Sequence, residues 1–213
     1  MTACAPPEPA EVPSPIDFND PAQALAWVED TIKRRPWRPR FFEAFVLALK
    51  AYFSRPFRVV ELGSGPGHLA AAIVRACEVE QYTAVDLSPA MHDLARAYLG
   101  SDARPVRFLL EDFRKADWGA SLGIVDAVVT LQAAHEVRHT SRLPDLFDTI
   151  FAVIRPNGLF LYGDHYREED GRESSGLFVT RRQQEEALAN AGFVGVALAL
   201  DVGGMALYSA RRP

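Results

Sequence analysis

Short apolar stretches alternate with amphipathic helical patterns over most of the chain from Phe57 onward. Five stretches are predicted to be strands, and several are apolar throughout, as parallel strands covered on both faces should be. They are residues 58–62, 82–85, 106–110, 125–131 and 159–163. Helical periodicity follows Gly67 and Pro89 and returns over residues 143–154. This alternation predicts an α/β fold with a doubly wound, mostly parallel sheet.

The N-terminal part of the chain departs from this alternation. One helical pattern begins at Pro21 and another follows Pro39, and their apolar faces are formed by Leu25, Val28 and Ile32 in the first and by Phe42, Phe45, Leu49 and Phe53 in the second. We therefore predict a helical cap of two helices at residues 20–55, ahead of an α/β core at 56–213. Residues 1–19 are rich in proline and are expected to form a disordered leader.

The C-terminal part also departs from the alternation. A polar helical pattern at 181–190 is followed by apolar stretches at 193–200 and 205–210, which are separated by Gly203 and Gly204. A short turn that contains glycine joins adjacent antiparallel strands, so this region is predicted to form a hairpin at one edge of the sheet. Together with the core and the helical cap it makes a single domain, residues 20–213.

Charge and composition bear on the expected partners and location of the protein. The formal net charge of −5 gives no general attraction to a polyanion, so duplex nucleic acid is not an expected partner. No stretch approaches the roughly 20 apolar residues of a membrane helix, so no membrane association is expected. Cys4 and Cys77 form no disulfide framework or metal motif, which favours a reducing, cytoplasmic location.

A glycine-rich loop, ELGSGPG at residues 61–67, lies between the first predicted strand and its helix. Glycine lets the backbone turn tightly there and approach a ligand closely. The spacing of Gly63, Gly65 and Gly67 is G-x-G-x-G, whereas the dinucleotide fingerprint is G-x-G-x-x-G. Glu61 would repel a pyrophosphate but can help to hold an ammonium group. The loop therefore favours S-adenosylmethionine over NAD(P).

A second acidic residue, Asp86, closes the second predicted strand nineteen residues after Gly67. A carboxylate at that position can accept hydrogen bonds from both hydroxyls of a ribose. Ser88 and Pro89 then provide an N-cap and a first helical residue.

With these motifs in register, the sequence resembles the class I (Rossmann-like) S-adenosylmethionine-dependent methyltransferases over about residues 57–210. The resemblance is carried by ELGSGPG, VDLSPAM, LEDF, VDAVV and IRPNGLF. It implies a seven-stranded sheet in the order 3-2-1-4-5-7-6 with an antiparallel last strand, and S-adenosylhomocysteine as the product. It also implies the cofactor-binding residues, namely Glu61, Gly63, Ser64, Gly65, Gly67, Asp86, Leu87, Asp112, Phe113 and Gln132. Among these, Asp112 and Phe113 would meet the adenine, and Gln132 the methionine ammonium group.

Polar residues beyond the fourth and fifth strands are candidates for the acceptor side. His135 and His165 are the candidate catalytic bases, because a hydroxyl, phenol or amine acceptor carries a proton that must leave. A metal held by His135, Asp164 and His165 is an alternative that we do not favour. The match of residues 135–139 to H-E-x-x-H is interpreted as accidental, because that motif requires both histidines on one helix.

The acceptor is expected to be a small molecule, because the core carries no large insertion. We expect its pocket to be roofed by the loop 164–177 and by four aromatic residues of the cap, Trp27, Trp37, Phe41 and Phe42. The basic run at 33–40 is interpreted as a solvated corner. Two other functions stay open: a non-catalytic protein that binds the cofactor and acts through partners, and an NAD(P)-binding oxidoreductase.

Overall fold

The protein forms one seven-stranded mixed sheet with helices on both faces. The structure is a computed structural model that describes residues 10–168 and 176–213. The strands are β1 (Phe57–Leu62), β2 (Val79–Asp86), β3 (Val106–Leu110), β4 (Val125–Leu131), β5 (Ile154–His165), β6 (Val194–Val202) and β7 (Met205–Arg211). Their order is β3-β2-β1-β4-β5-β7-β6, and β7 is antiparallel to both of its neighbours. The predicted fold class, strand order and terminal hairpin are confirmed.

Among the residues that the structure describes, six α-helices connect and cover the strands. They are α1 (Pro21–Arg34), α2 (Arg38–Tyr52), α3 (His68–Ala76), α4 (Pro89–Leu99), α5 (Leu143–Val153) and α6 (Arg181–Asn190). Side-chain caps fix several starts, since Asp20, Ser88 and Thr180 each accept a hydrogen bond from a backbone N–H of the helix that follows. Within the described ranges, no helix is long and apolar enough to cross a membrane.

The two N-terminal helices have different positions. In α2, Phe41, Phe45 and Leu49 are fully buried and pack with residues of the sheet such as Leu161. This helix is therefore a covering layer of the core, whereas α1 rests on α4 through a small cluster that contains Ala24, Ala90 and Met91.

The apolar face predicted for α1 is correct only at Val28, which packs against this cluster. Leu25 and Ile32 are 46% and 59% exposed, while Ala24 and Thr31 are buried. The helix packs on α4 through Ala24, and the partly buried Trp27 and Val28 pack against the same cluster.

Residues 10–19, which we expected to be disordered, contact the core instead. The backbone N–H of Val12 donates to the Arg138 carbonyl at 2.8 Å, and Arg138 Nε donates back to the Val12 carbonyl at 2.7 Å. The hydroxyl of Ser88 donates to the Phe18 carbonyl. This part of the leader is thus held by backbone hydrogen bonds, which proline content does not reveal. Residues 1–9 lie outside the described residues.

Candidate functional site

The glycine-rich loop adopts a left-handed backbone conformation that glycine accepts without strain. Gly63, Gly65 and Gly67 all have positive φ, at 64°, 52° and 80°. A Cβ on Gly63 would lie 2.2 Å from the Cβ of Ala133, so this glycine allows the loop after β4 to approach. A Cβ on Gly65 would meet no atom within 4 Å. The loop therefore packs against protein at Gly63 and faces open space at Gly65.

Asp86 ties this loop to the end of β2. Its Oδ2 accepts a hydrogen bond from the Gly65 N–H at 2.8 Å, and its Oδ1 accepts one from the Ser88 N–H at 2.9 Å. Burial raises the pKa of Asp86, although the backbone N–H donors oppose this. Each carboxylate oxygen keeps a second lone pair, so the residue can brace the loop and still accept a ligand hydroxyl.

A small cavity of about 40 Å³, here called the inner cavity, lies against the loop. Its polar lining includes Arg38, Glu61, Ser64, His68 and Gln132. In the described part of the chain, five buried polar side-chain atoms lack a hydrogen-bond partner, and three of them belong to this lining: Arg38 Nε, Ser64 Oγ and Gln132 Oε1. Unpartnered buried polar atoms are costly, and a polar ligand would satisfy them.

The charged groups of the inner cavity suit a zwitterion. Glu61 is buried, accepts a hydrogen bond from the Tyr82 hydroxyl at 2.7 Å, and has its pKa raised to about 8, mainly by burial. Burial, and then the charge of Arg35, lower the pKa of Arg38 to about 10. Arg38 offers a cation to a carboxylate, whereas Glu61 and the amide oxygen of Gln132 offer acceptors to an ammonium group.

A larger cavity of about 190 Å³, here called the outer cavity, adjoins the inner one. Gln132 and both Gly63 and Gly65 line the two of them. The outer cavity has aromatic walls formed by Phe18, Trp27, Phe113 and Phe178. Its polar lining consists of Arg35, Asp86, Gln132, His135, Glu136 and His165. The two cavities are thus neighbours that share part of their wall, and the outer one extends to the histidines.

His135 lies between two carboxylates. Its Nδ1 is 2.7 Å from Asp164 Oδ1, and its Nε2 is 3.3 Å from Glu136 Oε1. Burial alone would lower the pKa of His135, but Asp164 and Glu136 raise it to about 10. At neutral pH this ring is therefore an imidazolium with both N–H groups directed at acids.

The pKa of His165 is shifted in the opposite direction. Its Nε2 lies 2.9 Å from the amide nitrogen of Gln132, which donates to it. Burial lowers the pKa of His165 and outweighs the pull of Asp164 in the other direction. Gln132 has a φ of 58°, unusual for a non-glycine residue, and is held there by a hydrogen bond from its N–H to the Gly163 carbonyl. The outer cavity thus contains one charged and one neutral histidine.

The part of the chain that carries the glycine loop matches a known protein family. Residues 59–158, which include the glycine loop and Asp86, match a family described as a methyltransferase domain. This stretch belongs to the methyltransferase-domain family, and the fold is that of the class I S-adenosylmethionine-dependent methyltransferases. No curated protein has a sequence that matches it significantly.

Solved structures share the fold of this methyltransferase. An O-methyltransferase family protein from Burkholderia thailandensis is 17% identical with a TM-score of 0.74, and the match covers 92% of this chain and 61% of that one. Human N-acetylserotonin methyltransferase in complex with SAM is 20% identical, with a TM-score of 0.67 and coverages of 92% and 57%. The N-methyltransferase NodS from Bradyrhizobium japonicum, in complex with S-adenosyl-L-homocysteine, is 15% identical, with a TM-score of 0.65 and coverages of 83% and 87%. The chain thus spans about three fifths of the first two proteins.

The remaining predicted cofactor-binding residues line two different cavities. Leu87 and Phe113 line the outer cavity with Asp86. Asp112 instead forms a bidentate pair with Arg114, at 2.9 and 2.7 Å, and lines a different surface cavity. Burial would raise the pKa of Asp112, but Arg114 lowers it overall. An adenine contact by Asp112 stays a prediction, and it would require this carboxylate to leave or share Arg114.

The expected aromatic roof is only partly correct. Trp27 lines the outer cavity, but Phe41 is buried in the core and Trp37 covers Gly203 in the β6–β7 turn. Phe42 lies beneath the guanidinium of Arg38 at 5.5 Å. The expected loop 164–177 is only partly described, since residues 169–175 lie outside the described ranges.

The H-E-x-x-H match does not form a metalloprotease site. Residues Ala134–Val137 form a single 3-10 turn, and Arg138 follows it in a left-handed conformation with a φ of 64°. No helix therefore carries both His135 and His139. Among the described residues, no group of three or more potential ligands is arranged to hold a metal ion.

Several residues of the two cavities were missed from the sequence. Arg35 and Arg38 belong to the basic run that we interpreted as a solvated corner, and Phe18 belongs to the leader that we expected to be disordered. Glu136 and Phe178 are also part of the outer cavity. The position of Trp37 among the arginines at 33–40 was the available signal for the first two residues.

Proposed function

We propose that this protein transfers the methyl group of bound S-adenosylmethionine to a hydroxyl oxygen of a small-molecule acceptor. The observation that carries the proposal is the inner cavity, which three residues with unpartnered buried polar atoms line together with Gly65, and which shares Gln132 with the cavity that contains the two histidines. A bare turn would leave no such set of unsatisfied groups.

The inner cavity would hold the methionine end of the cofactor. Arg38 would bind its carboxylate, and Glu61 and Gln132 its ammonium group, which pairs each charge with an opposite one. Asp86 would accept the ribose hydroxyls, and Leu87 and Phe113 would flank the nucleoside in the outer cavity. Bound S-adenosylmethionine supplies a methyl group on a sulfonium, which makes it an electrophile for in-line displacement. The protein's main task is to position the acceptor.

The two histidines would share the work of activating a hydroxyl. Burial lowers the pKa of His165 and its Nε2 faces the amide nitrogen of Gln132, so Nε2 would take the acceptor's proton as the hydrogen bond from Gln132 breaks. His135 is held by Asp164 at 2.7 Å and by Glu136 at 3.3 Å, and its Nε2–H would have to turn from Glu136 to the acceptor to stabilise the oxyanion that forms. The C–O bond then forms as the C–S bond breaks, S-adenosylhomocysteine leaves, and His165 returns its proton to water.

The outer cavity, of about 190 Å³, would also hold the nucleoside near Asp86, so the space that is left beside His135 and His165 suits only a small acceptor. Of the structures above, one is named as an O-methyltransferase family protein, one as N-acetylserotonin methyltransferase and one as an N-methyltransferase, so the choice of an oxygen acceptor rests on the histidine pair. A cytoplasmic location is part of the proposal.

A thermal-shift comparison of S-adenosylmethionine, S-adenosylhomocysteine and NAD⁺ tests the proposal. Both adenosyl compounds should raise the melting temperature at saturating concentration, and NAD⁺ should leave it unchanged. Stabilisation by NAD⁺ alone would contradict the proposed cofactor. Cofactor binding without transfer to any hydroxylated acceptor would favour the non-catalytic alternative.

A further inference from the structure

The basic run at 33–40 divides into two groups in the structure. Lys33, Arg34 and Arg40 are exposed, whereas Arg35 and Arg38 are half-buried. Arg34 pairs with Asp30 at 2.8 Å on the outside of α1. Arg38 faces the inner cavity and has a role in the proposed function, but Arg35 lines the outer cavity and does not. Its position therefore needs a separate explanation.

Arg35 has few partners for a half-buried guanidinium. Its Nη1 donates to the Thr31 hydroxyl at 3.3 Å. Within residues 10–168 and 176–213 no carboxylate lies at ion-pair distance from it, and Asp30, the acid whose charge acts on it, already pairs with Arg34. Burial lowers the pKa of Arg35. A partly desolvated cation without a counter-ion costs free energy that an anionic ligand would recover.

The surroundings of Arg35 face the acceptor side of the site. Its charge lowers the pKa of His165, so the two groups lie close enough to interact. Trp27 and Phe178 line the same cavity, and Phe18 meets Trp27 edge to face with centroids 5.4 Å apart. A flat ring would pack between such walls, with one polar group toward the histidines and another toward Arg35.

We propose that the acceptor is an aromatic acid, with its hydroxyl at the histidine pair and its carboxylate on Arg35. The planar guanidinium can bind a carboxylate through two parallel N–H···O contacts, which fixes orientation as well as charge. The neutral ester of the same acid would lose this contact. The proposal rests on the proposed function, since it assigns the acceptor of the same site.

Titration calorimetry at saturating S-adenosylhomocysteine tests it with three acids, namely 4-hydroxybenzoate, 3,4-dihydroxybenzoate and 4-hydroxycinnamate, each against its methyl ester. At least one acid should bind the wild-type protein about 10-fold or more tightly than its ester. Arg35→Gln should remove this preference by weakening the acid and leaving the ester unchanged. Arg34→Gln, one residue away on the exposed side of α1, is the matched control and should keep the preference.

Two results would overturn the proposal: no acid of the panel binds the wild-type protein more tightly than its ester, or Arg35→Gln keeps the preference. A separate titration with S-adenosylhomocysteine alone distinguishes a failure of the acceptor proposal from a failure of the proposed function. If the wild-type protein binds that compound but shows no acid preference, the proposed function survives and the aromatic acid fails. If it does not bind that compound, the proposed function itself fails.

Discussion

His135 and Asp164 join the ends of two neighbouring strands. Asp164, at the end of β5, accepts the His135 backbone N–H at 2.9 Å through Oδ2 and the ring Nδ1–H at 2.7 Å through Oδ1. The carboxylate is buried, and His135 lowers its pKa despite that burial. This single side chain therefore fixes the position, orientation and charge of the histidine.

Asp164→Asn should destabilise the protein and move the pKa of His135 downward. The folded pKa of His135, about 10, lies above its ordinary 6.5, so the pairing stabilises fully below pH 6.5 and loses this contribution as pH rises through about 10. We expect a loss of about 3 kcal/mol in the free energy of unfolding at pH 7, and a smaller loss at pH 10.5. Urea unfolding at both pH values measures these losses in the free energy of unfolding. The control is His139→Gln, which removes an exposed hydrogen bond. Equal losses at the two pH values would refute the assigned charge.

Arg38→Gln should weaken S-adenosylhomocysteine binding by about 10- to 100-fold, because the ligand carboxylate would lose its charged partner. Arg40→Gln, two residues on and exposed, should bind like the wild type. Calorimetry on the three proteins checks this. Unchanged affinity in Arg38→Gln would remove this residue from the inner cavity's proposed role.

Glu61 makes cofactor affinity depend on pH. Its pKa is about 8 in the free protein, so the carboxyl is mostly protonated at pH 6 and must lose its proton to face an ammonium group. Affinity for S-adenosylhomocysteine should therefore rise from pH 6 to pH 8, with release of a proton on binding at pH 7. Glu61→Gln should bind more weakly and flatten this rise. Titrations in two buffers of different ionisation enthalpy measure the released proton, and a wild-type affinity independent of pH would contradict the assignment.

Two substitutions in the glycine loop should have different effects. Gly63→Ala brings a Cβ to 2.2 Å from Ala133, so it should lower the melting temperature and abolish binding together. The Cβ of Gly65→Ala would meet no protein atom within 4 Å, so the substitution should lower the free energy of unfolding by only about 1–2 kcal/mol, because of the positive φ. The same Cβ should nevertheless block the ligand. Thermal unfolding and S-adenosylhomocysteine titration separate the two effects. Full binding by Gly65→Ala would mean that no ligand approaches there.

The sequence was sufficient where local chemistry determines the structure. The strand–helix alternation, the positive φ that Gly63 to Gly67 require, and the Gly203-Gly204 hairpin are all local properties, and the fold follows from them. The boundaries were less exact: β2 begins at Val79 rather than at Tyr82, and β5 already begins at Ile154, which we placed in the preceding helix.

The site was less predictable because it depends on contacts between distant segments. The inward face of α1 follows from its packing on α4, and the burial of Arg35 and Arg38 follows from where the α1–α2 corner meets the loop after β1. The order of residues 10–19 depends on Arg138, more than 120 positions away along the chain. Hydrophobic periodicity carries no information about such pairs.

The most direct test of the account compares two ligands that differ only at the end assigned to the inner cavity. 5′-Methylthioadenosine has the nucleoside and sulfur of S-adenosylhomocysteine but lacks the amino-acid carboxylate and ammonium group. Calorimetry should give one site per chain for S-adenosylhomocysteine and an affinity for 5′-methylthioadenosine about 100-fold lower, since two charge-assisted contacts are missing. Equal affinities, or no binding of S-adenosylhomocysteine, would contradict the claim that the inner cavity holds the methionine end of the cofactor.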